Sequence, residues 1–68
     1  MNEQNLIDEL FDLVTSTVAS WTNEKQKQFD SNEGYRNSVI YDSSFVIDGI
    51  TDENRNEITS AVEALVVD

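Results

Sequence analysis

Between residues 3 and 22, Leu6, Ile7, Leu10, Phe11, Leu13, Val14, Val18 and Trp21 recur at intervals of three and four. That spacing places them on one face of a helix. Asn5, Asp8, Asp12, Ser16 and Asn23 fall opposite, flanked by Glu9. The apolar stripe covers about 160° of the helical wheel, wider than a two-helix seam, and calls for two neighbours. Acids crowd its first turns while Lys25 and Lys27 lie beyond its far end, the arrangement a helix dipole favours. The helix is expected to fray between Trp21 and Phe29.

A second helical pattern runs over residues 52–66. Thr51 is a suitable N-cap, and Asp52 and Glu53 occupy the first turn. Ile58, Ala61, Val62 and Leu65 form a narrow core stripe, with Glu53, Glu57, Ser60 and Glu63 outside it.

Two patterns coexist between these helices. Ser38 to Tyr41 and Phe45 to Ile47 are rich in β-branched and aromatic residues around a polar Asp42-Ser43-Ser44, as in a β-hairpin. Yet Tyr35, Val39, Ile40, Val46, Ile47 and Ile50 also gather on one side at helical period, with small Ser43 among them. Gly49 suits the left-handed residue after a helix end, Ile50 the apolar residue that follows it, and Thr51 the next cap. This junction favours the helix, and the polar stretch Asp30–Gly34 reads as the preceding loop. The expected fold is all-α, a small three-helix bundle. The alternative is α+β, two helices packed on a hairpin formed by residues 35–48.

The chain of 68 residues is long enough for one small acidic domain, residues 1–68. Chains this short bury little core and often gain support from disulfides, metals or self-association. Cysteine and histidine are both missing, which removes disulfides, the commonest metal ligand and the commonest general base. No serine sits in a G-x-S-x-G elbow, and the two glycines, Gly34 and Gly49, form no phosphate-cradling loop. Asp48-Gly49 resembles the centre of a calcium-binding loop, but that register puts Val46 and Arg55 where oxygen ligands are needed. No catalytic residue, cofactor site or metal site is therefore expected, and the chain reads as a binding protein, not an enzyme.

The charge then becomes the leading clue. Fourteen acids against four bases give a net charge of -10. Such a chain repels nucleic acid and anionic membranes and attracts basic surfaces. The expected partner is a basic protein surface, with direct nucleic-acid and membrane binding both excluded. Asp8, Glu9 and Asp12 on the first helix and Glu53, Glu57 and Glu63 on the last form the candidate acidic face. In its most specific form this face imitates a row of phosphates, and the protein inhibits a DNA- or RNA-binding protein. A homodimer is expected, its apolar interface containing Phe11 and Trp21, and a second class of function is a homodimeric structural or regulatory module closed through that interface. A third is a sequestering protein in which Tyr35, Tyr41 and Phe45, with Arg36, hold a planar anionic ligand. Phe11, at the edge of the first-helix stripe, and Tyr41 and Phe45, off the stripe of the middle helix, mark a second apolar surface. Residues 1–10 carry three acids and no base, unlike a secretory leader, and no apolar run approaches the ~18 residues of a membrane span. A cytoplasmic location is expected.

Overall fold

Leu6, Leu10 and Val14, spaced by one helical turn, are the buried line of the first helix, α1 (Glu3–Ala19). The computed structural model describes residues 3–67. Three more helices follow: α2 (Asn23–Ser31), α3 (Glu33–Ser43), continued by a 3-10 turn at Ser44–Val46, and α4 (Arg55–Val67). The fold is the expected all-α bundle, and the β-hairpin alternative is overturned, since the described residues contain no strand. The β-branched residues at positions 39, 40, 46 and 47 are divided between helix and turn instead of pairing.

The first helix stops sooner than its hydrophobic pattern suggests, because the segment after it has its own start signal. Thr22 is extended, and its hydroxyl accepts the Lys25 N–H, capping α2. Gln26, one turn into α2, donates its side-chain amide to the carbonyls of Val18 at 2.9 Å and Trp21 at 3.3 Å. It thereby ties the carbonyls at and just beyond the end of α1 to α2, the Val18 carbonyl also accepting the Trp21 N–H at 3.0 Å. The region expected to fray is thus a helix. The Asp30–Gly34 loop contracts to a single residue, Asn32. Asn32 ends α2 by donating its N–H to Gln28 and begins α3 by accepting the Tyr35 N–H on its side chain. Gly34 lies inside the first turn of α3.

Along α3 the buried line is Arg36, Ile40 and Ser44, one step round the helix from the stripe drawn through Tyr35, Val39 and Val46. Val46 is exposed. Ile47 and Ile50 do reach the core, from a turn in which the Ile50 N–H bonds the Ile47 carbonyl at 3.4 Å. Gly49 occupies the third position of that turn with φ 98°, so its positive φ serves a turn and not the end of α3, which closes at Ser44. On α4, Ile58 and Val62 are core as expected, but Arg55 joins them and Leu65 is exposed.

Thr51 starts the final helical turn through its backbone, accepting the Arg55 N–H at 2.9 Å. The side-chain capping comes from Asn54, which accepts the Thr51 N–H at 2.7 Å and donates to the Gly49 carbonyl at 3.1 Å. Asn54→Ala is therefore expected to lower stability by about 1 kcal/mol, and Thr51→Ala by much less. Chemical denaturation of the two variants distinguishes this from a cap carried by the Thr51 hydroxyl.

Packing sets direction. Glu3 of α1 lies beside Glu57 of α4, and Val14 and Val18 share a cavity with Val66, so these helices run parallel. Ser44 at the end of α3 meets Arg55 at the start of α4, while Arg36 near the start of α3 meets Glu63; α3 and α4 are antiparallel. Three helix ends, the start of α1, the end of α3 and the start of α4, consequently share one pole, and α2 lies at the other.

Candidate functional site: an acidic pole with exposed aromatics

Two of the four cations point inward. Arg36 and Arg55 are 9% and 7% exposed. Arg36 donates to the carbonyls of Phe29 and Asp30 at 3.2 and 2.9 Å, closing the end of α2. Its Nε sits 3.6 Å from the Glu63 carboxylate, too far for a hydrogen bond, and has no other partner. Arg55 is the hub of the opposite pole. Its Nε donates to Ser44 Oγ at 3.0 Å, one terminal nitrogen faces the Ile50 carbonyl at 3.4 Å, and the other pairs with Asp52. The same guanidinium lies 4.1 Å from the centre of the Phe45 ring and 5.9 Å from that of Tyr41.

The acids point outward. Of the thirteen among the described residues, all are exposed except half-buried Glu63. Glu3, Asp42, Asp48, Asp52, Glu53 and Glu57 belong to the segments that meet at the pole of Arg55, whereas both lysines lie on α2 at the far end. Lys25 rests over the Trp21 ring, 4.4 Å from its centroid.

The candidate acidic face is thereby divided. Glu53 and Glu57 sit at the pole, and Glu3 joins them. Asp8, Glu9 and Asp12 form an exposed strip along the outside of α1. Glu63 turns away towards Arg36. Repulsion from Glu57 is the main reason that Glu3 holds its proton above its ordinary pKa of 4.5, and a hydrogen bond between the two carboxyls adds to it. A carboxyl whose folded pKa is raised contributes stability that is fully present below its ordinary pKa. That contribution is lost as pH rises through the folded value. Glu57→Gln should therefore raise the melting temperature near neutral pH and flatten its rise on acidification, as thermal melts at several pH values would show. Among the described residues no group of three or more carboxylates converges to hold a metal ion.

Phe11 and Trp21 are half-buried against the core of their own chain. Trp21 packs edge-to-face on Phe29 at 6.0 Å and lies 6.1 Å from Tyr35. Phe29 of α2 and Tyr35 of α3 thus cover part of Trp21 from within the chain. The larger exposed apolar group is elsewhere. Tyr41 and Phe45 form an edge-to-face pair at 5.3 Å, and Phe45 and Val46 are 58% and 71% exposed. The arginine beside this pair is Arg55 and not Arg36, which lies near the opposite end of α3. The sequence held a signal for this: Arg55 falls on the same face as Ile58 and Val62, so an arginine stands in a core stripe.

From Tyr41 a groove of about 250 Å³ runs between α3 and α4. Ile40 floors it, Asn37 and Tyr41 form one wall, and Asn56, Ser60 and Glu63 form the other. Its donors and acceptors are hydroxyls, amides and one carboxylate, a set suited to binding and lacking a nucleophile–base pair.

The fold and this pole define an acidic all-α bundle, and no helix of the described residues is long and apolar enough to cross a membrane. No protein-family model, curated protein or solved structure matches the chain.

Proposed function

We propose that the protein is a non-catalytic binding module that engages a basic protein surface through the acidic pole. The supporting observation is the segregation of charge. Both arginines are internal, both lysines are on α2, and carboxylates dominate the pole where three helix ends meet. Acidity needed only for solubility would be served by any even distribution. A pole of one sign steers a positive partner and fixes its orientation. Nucleic-acid-binding proteins are the partner class that fits, because their binding surfaces are basic and accept rows of negative oxygens. In that setting the module acts as an inhibitor by occupying the phosphate-binding surface.

Titration of the full chain with a deca-lysine peptide tests the reading. The dissociation constant should rise steeply with ionic strength. Replacing Asp42, Asp48 and Glu53 together by lysine should weaken binding by at least about tenfold, the equivalent of 1.4 kcal/mol. The same change at Asp8, Glu9 and Asp12 should do less. Equal losses from the two triple variants would mean that total charge, and not the pole, governs binding.

A further inference from the structure

We propose that the pole is a docking site for a cationic amphipathic segment of the partner, in which an apolar side chain covers Phe45 while flanking lysines or arginines meet the surrounding carboxylates. This rests on the reading of the protein as a module for basic partners and adds the chemistry of the bound segment. Tyr41, Phe45 and Val46 place three large apolar side chains in solvent within little more than one turn. Singly exposed apolar residues are ordinary, but a contiguous group ringed by charge marks an interaction surface.

The ring is also held in place. Tyr41 meets it edge-on and the Arg55 guanidinium lies against its face. An aromatic fixed before binding loses little conformational freedom on contact, which is the property of an interface anchor. Arg55 does not make the site cationic, because Asp52 already pairs with it. The carboxylates around the ring remain available. Asp42 precedes Phe45 by three residues on the same face of the turn, and Asp48 follows it in the Ile47–Ile50 turn.

Charge selects the occupant. A second copy of the chain brings the same acids to the interface, and anionic lipid or nucleic acid brings phosphates; all are repelled. A segment with alternating apolar and basic faces is complementary in both respects. The α3–α4 groove extends the contact, because Tyr41 belongs to both surfaces. Asn37, Asn56 and Ser60 offer hydrogen bonds along it.

The test uses the isotope-labelled full chain and two synthetic peptides of identical lysine and leucine composition, one arranged as an amphipathic helix and one scrambled. The amphipathic peptide is expected to bind about tenfold more tightly than the scrambled one and to shift the amide resonances of residues 41–53. Phe45→Ala should abolish that preference and leave the affinity for the scrambled peptide unchanged, while Phe45→Leu should retain most of it. Equal affinity for the two peptides, or a preference that survives Phe45→Ala, overturns the anchor and leaves the charge-driven reading standing. Shifts centred on α1 in place of the pole also overturn it. Failure of both peptides to bind removes this inference and the proposed function together.

Discussion

Arg55→Ala is expected to destabilise the protein by about 2–3 kcal/mol, the range for losing hydrogen bonds made by a charged group. The substitution removes the donor to Ser44, the group facing the Ile50 carbonyl and the flat surface beneath Phe45. Ser44 is fully buried, and water has poor access to replace what is lost. In a domain of this size the change should lower the melting temperature by roughly 10–20 °C. Arg55→Lys should recover only a minor part, since a single ammonium cannot reach several acceptors and stack on a ring as a planar guanidinium does. Asp52→Asn should cost less than about 0.5 kcal/mol, because the Asp52 side chain is almost wholly in solvent. Thermal melts of the three variants rank these effects. A destabilisation by Asp52→Asn equal to that by Arg55→Ala would mean that the ion pair, and not the buried network, holds the pole together. The site depends on this residue too, because Arg55 ties together the end of α3, the turn after it and the start of α4.

Phe29→Ala should cost about 3–4 kcal/mol, the usual range for truncating a buried aromatic residue. Phe29 is the only buried apolar side chain of α2, so truncating it removes the main attachment of that helix to the core. Total stability for a chain of this length is on the order of 5 kcal/mol; the variant should be near the edge of folding at room temperature. The lone tryptophan reports the event directly. Trp21 is packed on Phe29 and Tyr35, and its emission should shift to the red as α2 detaches. An unchanged emission maximum and melting temperature would show that α2 does not cover Trp21. That result would strengthen the case for an apolar interface built on Phe11 and Trp21.

The acidic pole and the cover over Trp21 bear on the same question from opposite ends of the molecule. At one end the chain buries its own apolar surface with a polar helix. At the other it leaves Tyr41, Phe45 and Val46 uncovered among carboxylates. An exposed aromatic surface in a small bundle carries a risk of self-association, and the acids around it oppose contact between copies while attracting positive charge. On the proposed reading, the placement of charge favours a basic partner over a second copy of the chain.

Much of this architecture was legible in the order of residues alone. The four-residue spacing of Leu6, Leu10 and Val14, and of Ile58 and Val62, identified two helices and their buried faces, because a regular helix converts spacing directly into direction. The lack of histidine and cysteine narrowed the chemistry, because those side chains have few substitutes as ligands or bases. The helix α2 was not legible as such. Its nine residues contain one large apolar side chain, so it has no stripe to find; its caps, Thr22 and Asn32, and the reach of Gln26 to the end of α1 make it a helix. The fates of the charged residues were likewise decided only in three dimensions. Arg36 and Arg55 are long side chains whose burial requires carbonyls, a hydroxyl and aromatic rings supplied by other elements. Glu57 and Glu63 share a helix yet part company, because α1 lies on one flank of α4 and α3 on the other. A linear pattern states which face of a helix is apolar. Which neighbour borders each polar flank, and so which charges gather at one pole, follows from the directions in which the helices pack.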